Sequence, residues 1–354
     1  MADPENYRGV HLTSQISKVV ERVLAHTLIT PFVKSLSLYG ENQFAYTRGR
    51  GARDVIAFLV MTWLFAFASN KIVAVYCSDV AGAFDRVHKH RLLGKLRGSG
   101  LHPKLVKIFE SWLNERLANV VIGGSMSRSI LMRNMVYQGT VFGPMLWNIF
   151  FKDAGDAIRA AGFEDISYAD DLNAYKVYPG HLSPAYLQQD MCVVQRNLHT
   201  WGEANGVRFD AGKESFHILS RTGGSGDSFK LLGIRFDTKL LMHGAVHDCV
   251  VACNWKLQSI LRTKRFYADA DILVTFKAHI LSFIEYRTMA IAHAAPSELQ
   301  PLDDILTRLL VRLGISQEAA LVHFNLAPLN ARRNIALLGI IHKAALRNGL
   351  PQFH

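Results

Sequence analysis

Apolar residues recur along this chain with two periods, and the changes of period mark its elements. Ile16, Val19, Val20, Val23, Leu24 and Leu28 fall three and four apart, which predicts a helix that Ser14 can cap. A second helix is predicted over 53–68. Its apolar run, Val55 to Ala68, is too short to cross a bilayer and contains Thr62, so it reads as a buried helix. Lys71–Ser78 has the unbroken apolar character of a buried strand and ends at an acid, Asp79. Helices are predicted at about 88–97 and 102–117, the second with Pro103 in its first turn. The stretches 119–123 and 128–136 read as a hairpin about a Gly-Gly-Ser turn. Gln138–Pro144 then opens another helix, with Met145, Leu146, Ile149 and Phe150 on its core side. Gly139 and Gly143 would admit a ligand close to the backbone, and the free N–H groups of the helix start would suit an anion.

Ile166, Tyr168, Leu172 and Ala174 alternate with polar residues around the adjacent acids Asp170 and Asp171, a strand period interrupted at a turn. Leu187, Met191, Val194, Leu198 and Trp201 step by three or four along an amphipathic helix. Lys213 leads into a strand at Ser215–Leu219. A flexible turn over Thr222–Ser228 and a strand over Phe229–Phe236 follow, so 215–236 is predicted as a hairpin. From about 246 onward the periodicity is helical throughout. That shift places a domain boundary near 240, with a basic cluster at Lys256, Arg262, Lys264 and Arg265 beyond it.

Composition narrows the class. With 354 residues, 49% hydrophobic and 19% charged, the chain is a folded globular protein of two or three packed units. A net charge of +11 suits a polyanionic partner. Four scattered cysteines suggest a reducing compartment. The absence of an apolar run after Met1 adds the expectation of an intracellular, unsecreted protein with no membrane partner.

The candidate chemistry lies in the acids. Asp79, Asp170 and Asp171 end separate predicted strands, and adjacent carboxylates call for a cationic complement. Hard oxygen ligands favour Mg²⁺, and two such ions about 4 Å apart can drive phosphoryl transfer. The loop Arg48-Gly49-Arg50-Gly51-Ala52-Arg53 offers guanidinium forks to phosphate oxygens. His243, His247, Cys249 and Cys253 are zinc-type ligands. Their spacing matches no zinc site, and Val246, Val250, Val251 and Trp255 place both cysteines on a packed helix, so no zinc is expected.

An ordered series of segments resembles the reverse transcriptases, particularly those of non-LTR (LINE-type) retrotransposons. NYRGVHLTSQISKVVERVL at 6–24 and ENQFAYTRGRGARD at 41–54 are similar to the family's first two fingers blocks. SDVAGAFDRV at 78–87, QGTVFGPMLWNIF at 138–150 and YADD at 168–171 are similar to its motifs A, B and C. The helix through Trp201 with Lys213 resembles motif D, FKLLGIRF at 229–236 the primer-grip hairpin, and 327–353 the helical tail after the thumb. Departures are Gly9 for a usual proline, Ala45 for a glycine and Thr47 for an arginine, with Arg48 beside it.

The resemblance implies an α+β right-hand polymerase fold. Fingers would span 1–75 and a palm with an antiparallel sheet 76–240, with fingers elements inserted around 88–136. A helical thumb at 241–315 and a helical tail at 316–354 would follow. It implies RNA-directed DNA polymerase activity with an RNA template, a DNA primer and dNTPs, and two Mg²⁺ ions for which Mn²⁺ can substitute. Asp79, Asp170 and Asp171 would be catalytic and bind metal, helped by the Val80 carbonyl. Arg50, Phe84, Gln138, Gly139 and Lys213 would meet the nucleotide, Phe84 as a gate against a 2′-hydroxyl, and Leu232 and Gly233 would hold the primer end. The alternatives are an inactive nucleic-acid-binding remnant and a group II intron or retron-type enzyme.

Overall fold

The structure, a computed structural model, describes residues 9–114, 116–210 and 212–346. Asn6–Arg8 of the first family-like block and 347–353 of the helical tail lie outside the described residues. In chain order come α1 (Gln15–Leu24), α2 (Thr30–Ser35), α3 (Ala52–Ala68), β1 (Lys71–Ser78), α4 (Lys89–Gly98) and α5 (Pro103–Trp112). Four short strands follow, β2 (Arg116–Ala118), β3 (Val121–Ile122), β4 (Ser125–Met126) and β5 (Ile130–Met132), then α6 (Phe142–Arg159). Next are β6 (Glu164–Tyr168), β7 (Asp171–Pro179), α7 (Pro184–Asn205), β8 (Ser215–Leu219), β9 (Phe229–Leu231) and β10 (Ile234–Phe236). Six helices complete the described chain: α8 (His243–Thr263), α9 (Asp269–Phe276), α10 (Ser282–Ile291), α11 (Pro296–Leu313), α12 (Gln317–Phe324) and α13 (Leu329–Ala345). None of the described helices is long and apolar enough to cross a membrane.

The backbone divides into two compact units. One takes its described residues from Met1–Gly49, Val75–Lys176 and Ala185–Phe216, the other from Arg50–Ala74, Val177–Pro184 and His217–His354. The main sheet has the strand order β6-β7-β1-β8, with β6 and β7 antiparallel. Seven of the eight residues of β1 are buried, as its unbroken apolar sequence requires of a central strand.

In the first unit Ser14 caps α1 as predicted, its Oγ accepting from the Ser17 N–H at 3.1 Å. The apolar stripe of that helix faces outward, however: Ile16, Val19, Val20 and Val23 are exposed, whereas Glu21 is 2% exposed. Helix α5 ends at Trp112, five residues short of the prediction, because Arg116–Ala118 pairs antiparallel with β5. Pairing overrides local helix propensity there. The hairpin about Gly123 and Gly124 forms, as two short ribbons rather than one.

The second unit corrects the single strand read from periodicity over 229–236 and agrees with the hairpin that the resemblance implied there. Phe229–Phe236 is not one strand: Leu232 (φ +49°) and Gly233 (φ +75°) form a two-residue turn, and β9 and β10 pair across it. Left-handed φ at both central residues is the turn whose twist matches a hairpin. Strand β8 joins the main sheet instead of pairing along 229–236, and bridges the intervening loop at Ile218–Ser225. Trp63 packs edge-on against Phe229 and Phe236, and His217 stacks on Phe229 at 4.2 Å. Helix α13 is pinned by Arg333, bidentate on Asp303, and by Lys343 on Asp54 at 2.7 Å. The basic cluster is partly structural. Lys256 donates to the His279 carbonyl at 3.1 Å and lies over the Phe283 ring, and Lys264 donates to the Arg312 carbonyl at 2.7 Å. Cys249 and Cys253 are buried along α8, and His243 pairs with Glu298 at 2.9 Å.

Burial holds the His217 and His293 imidazoles below the ordinary histidine range. His293 donates from Nε2 to the Leu240 carbonyl at 2.8 Å, which opposes the effect of burial without overcoming it. Because their folded-state values lie below the unfolded one, the unfolded chain binds the extra protons. Stability is therefore full above about pH 6.5 and falls as the pH drops. Each histidine can contribute a slope of at most about 1.4 kcal/mol per pH unit. Denaturant unfolding between pH 7.5 and 5.5 should show this loss, and His217→Phe should flatten it; an unchanged slope would remove His217 as the cause.

Candidate active site

Asp79 follows directly on the buried strand β1, and the chain tethers it on two sides. Ser78 Oγ donates to the Leu172 carbonyl at 2.8 Å, locking the end of β1 beside the start of β7, next to Asp171. On the other side, residues 79–81 run antiparallel to 208–210. The Asp210 N–H donates to the Asp79 carbonyl at 3.0 Å, the Ala81 N–H to the Arg208 carbonyl at 2.9 Å, and Val80 bridges Phe209. That pairing delivers Lys213, because the Asp210 carbonyl accepts the N–H groups of Lys213 and Glu214 in a tight turn.

Lys213 Nζ stands 2.5 Å from Asp79 Oδ2 and 3.5 Å from Asp210 Oδ2. Its hydrogen bond to Asp79 is the main reason its ammonium is held above the ordinary lysine value. Behind it, the buried Glu214 carboxylate accepts from the Tyr76 hydroxyl at 2.8 Å, Gln195 Nε2 at 2.7 Å and His199 Nε2 at 2.7 Å. Burial, then the neighbouring Glu214 charge, raises Tyr76 well above its usual range and keeps it the donor. Sequence reading found Lys213 but not this anchor, since one glutamate before a strand carries no signal.

Asp170 and Asp171 occupy the turn between β6 and β7. Tyr168 pairs with Asp171, leaving Ala169 and Asp170 as a two-residue loop. Among the described residues, no group of three or more His, Cys, Asp or Glu side chains is gathered as a ready-made metal shell. Carboxylate oxygens nonetheless suit a hard cation; the partner beside Asp79 here is the Lys213 ammonium.

Phe84 sits in a short 3₁₀ turn, Ala83–Arg86, that follows Gly82. Its ring stacks on Trp147 with centroids 5.7 Å apart and planes 17° from parallel. A Cβ at Gly143 would come 3.4 Å from that ring and 2.7 Å from the Tyr137 carbonyl, so glycine is required there by the chain's own packing. Gln138 accepts at its carbonyl from the His11 N–H at 3.0 Å, and Gly139 (φ +86°) lies where a Cβ would meet the His11 carbonyl at 3.1 Å. The His11 backbone makes the close approach that the missing Cβ at Gly139 allows. The anion foreseen at the start of α6 is likewise internal. Glu21 Oε2 accepts from the N–H groups of Val141 at 2.8 Å and Phe142 at 3.2 Å, and its Oε1 accepts from Trp112 Nε1 at 3.0 Å.

Asp79, Val80, Phe84, Gln138, Gly139, Asp170, Asp171 and Lys213 therefore belong to one unit. Arg50, Leu232 and Gly233 belong to the other, where the Leu232 carbonyl accepts from the Tyr286 hydroxyl at 2.8 Å.

Comparison with known proteins gives these residues a context. The chain is 30% identical over 150 residues to the probable RNA-directed DNA polymerase from transposon BS of Drosophila melanogaster, which covers 42% of this chain and 16% of that protein. It is 27% identical over 259 residues to the RNA-directed DNA polymerase from mobile element jockey of the same fly, 67% of this chain and 27% of that protein. The chain thus spans about a quarter or less of the length of these curated relatives. Among solved structures, apo telomerase from Candida tropicalis is 11% identical with a TM-score of 0.48, covering 84% of this chain and 54% of that one. The model of the reverse transcriptase (RNA-dependent DNA polymerase) family matches residues 2–236, well over half of the sequence, and the chain belongs to that family.

Proposed function

We propose that this chain extends a DNA primer on an RNA template, the primer 3′-oxygen forming a bond to the α-phosphorus of a dNTP as the bond to pyrophosphate breaks. The observation that carries this reading is the junction of strand ends. Asp79 is stitched beside the Asp171 strand by the Ser78–Leu172 hydrogen bond and already bears a cationic partner. Asp79, Asp170 and Asp171, with the Val80 carbonyl, are the residues that would hold Mg²⁺. When bound, Mg²⁺ acidifies the primer hydroxyl and neutralises charge on the phosphates.

The remaining roles belong to the chain. Lys213 carries a proton on Nζ and, released from Asp79, offers it to the leaving pyrophosphate. Gln138 and Gly139 line the nucleotide pocket, and Arg50 reaches for the triphosphate. Leu232 and Gly233 support the primer end. In this reading the fold is a right hand, with fingers at 1–75, a palm at 76–240, a thumb at 241–315 and a tail at 316–354, as in non-LTR retrotransposon enzymes.

Primer extension on poly(rA)/oligo(dT) with Mg²⁺ or Mn²⁺, beside an Asp170→Asn control, tests the proposal. Extension by the parent and none by the control is the expected result. A parent that binds the duplex without extending it would be a nucleic-acid-binding remnant.

Phe84 gives a sharper test. One face of its ring is backed by buried Trp147, so it cannot retreat when a 2′-hydroxyl approaches. Phe84→Val should raise the efficiency of ribonucleotide relative to deoxynucleotide incorporation by about 10²-fold. Equal selectivity in parent and variant would make Phe84 a core aromatic only.

A further inference from the structure

The acid-bearing turn does not hold its own shape. Ala169 sits at φ +61°, a left-handed conformation that a residue with a Cβ adopts only under constraint. The constraint comes from a distant segment. Gln43 Oε1 accepts from the Ala169 N–H at 3.0 Å, and Gln43 Nε2 donates to the Ala169 carbonyl at 3.1 Å. Trp147 Nε1 donates to the same carbonyl at 3.0 Å.

Gln43 is itself fixed. It is 4% exposed, its Oε1 also accepts from the Ala45 N–H at 3.0 Å, and its backbone forms a parallel bridge to Ser167. Backbone hydrogen bonds from Phe44 to Ser167 (3.0 Å) and from Ser167 to Asn42 (2.9 Å) hold 42–44 along β6. Asn148, buried on α6 one residue from Trp147, donates to the Ala45 carbonyl at 2.9 Å. A carboxamide is the side-chain group that can accept from an N–H and donate to a C=O of the same residue at once.

We propose that Gln43 is a positioning residue for the Asp170–Asp171 pair. Its carboxamide, backed by the Trp147 indole, clamps both peptide groups of Ala169 and so fixes the left-handed turn that aims the two carboxylates. The purpose of that aim rests on the polymerase reading; the clamp does not. The partner of Gln43 lies more than a hundred residues along the chain, which is why the sequence did not single it out.

The test combines three readouts on the parent, Gln43→Leu, Gln43→Glu and Gln43→Leu/Ala169→Gly. Hydrogen exchange at the Ala169 amide reports the clamp without catalysis. Protection in the parent and its loss in Gln43→Leu are expected; an amide as protected in the variant as in the parent overturns the proposal. Mn²⁺ binding followed by electron paramagnetic resonance should weaken about tenfold. In primer extension kcat should fall about 10- to 100-fold with KM for dTTP little changed, because the groups misplaced act on the reacting centre. Glycine at 169 removes the backbone strain, so the double variant should recover much of the loss; no recovery overturns the strained-turn account.

Should Gln43→Leu fail to fold, Gln43→Glu decides, since it keeps the shape and the acceptor while replacing the donor to the Ala169 carbonyl with a charged carboxylate oxygen that repels it. Parent-like kcat and Mn²⁺ binding there overturn the proposal. A parent that protects the Ala169 amide yet neither binds Mn²⁺ nor extends a primer would sink the polymerase reading and leave the clamp standing. An active parent with an unprotected amide would do the reverse.

Discussion

Asp79→Asn should abolish primer extension, by about 10³-fold or more, while leaving the protein as stable as the parent to within about 1 kcal/mol. The two halves of that expectation come from different features of the same residue. Asparagine keeps the size of the side chain but removes the charge that would hold a divalent ion, and loss of several kcal/mol of charge stabilisation at a transferring phosphate corresponds to a factor of this order. Folding, by contrast, does not rest on the Asp79 carboxylate. The strand that carries it is held by burial of β1 and by Ser78 on the Leu172 carbonyl, and neither is touched by the substitution. Its ion pair with Lys213 involves a lysine side chain that is 60% exposed, and exposed pairs contribute little. Extension assays read beside denaturant unfolding separate the two. A variant that extends normally would take Asp79 out of the chemistry, and one that unfolds would mean that its charge supports the strand end.

How far the chain could be read without its structure follows from where each signal lives. Strands β1, β6 and β7, helix α7 and the all-helical region after 240 are legible because burial of one face writes a period into the sequence. Acids at strand ends and Gly-rich turns are legible because few residue types suit them. What fails is whatever depends on pairing between distant segments. Arg116–Ala118 has helix-compatible residues and becomes a strand because β5 lies beside it. Phe229–Phe236 reads as one strand and folds back at Leu232, a residue with no turn preference, because its neighbour is glycine and Leu231 pairs with Ile234 across them. The same limit hid Gln43, Glu214 and Glu21, polar residues whose meaning lies mainly in partners more than ten residues distant. Helix α1 misleads in the opposite sense, since its apolar stripe is exposed and its single buried residue is an acid.

Glu21→Ala should therefore be among the most destabilising single changes in this unit, by about 3–5 kcal/mol. The carboxylate is 2% exposed and serves two elements at once. One oxygen accepts from the indole of Trp112 at 3.0 Å and from Ser17 Oγ at 3.3 Å, while the other accepts from the N–H groups of Val141 and Phe142. A negative charge at the start of the eighteen-residue helix α6 is also favoured by the helix dipole. Truncation leaves an indole N–H and two backbone N–H groups without that partner in a buried place, each at a penalty of about 1–3 kcal/mol. Urea unfolding followed by tryptophan fluorescence measures the change. Glu21→Gln separates shape from charge. It retains one acceptor oxygen but turns an NH₂ group toward a donor, so about half of the loss should remain. Gln138 and Gly139 lie just before the capped N–H groups, and loosening them should raise KM for the dNTP more than it lowers kcat. If Glu21→Ala unfolds within 1 kcal/mol of the parent, other groups must satisfy the helix start, and the α1 helix loses its reason for burying an acid while leaving its valines exposed.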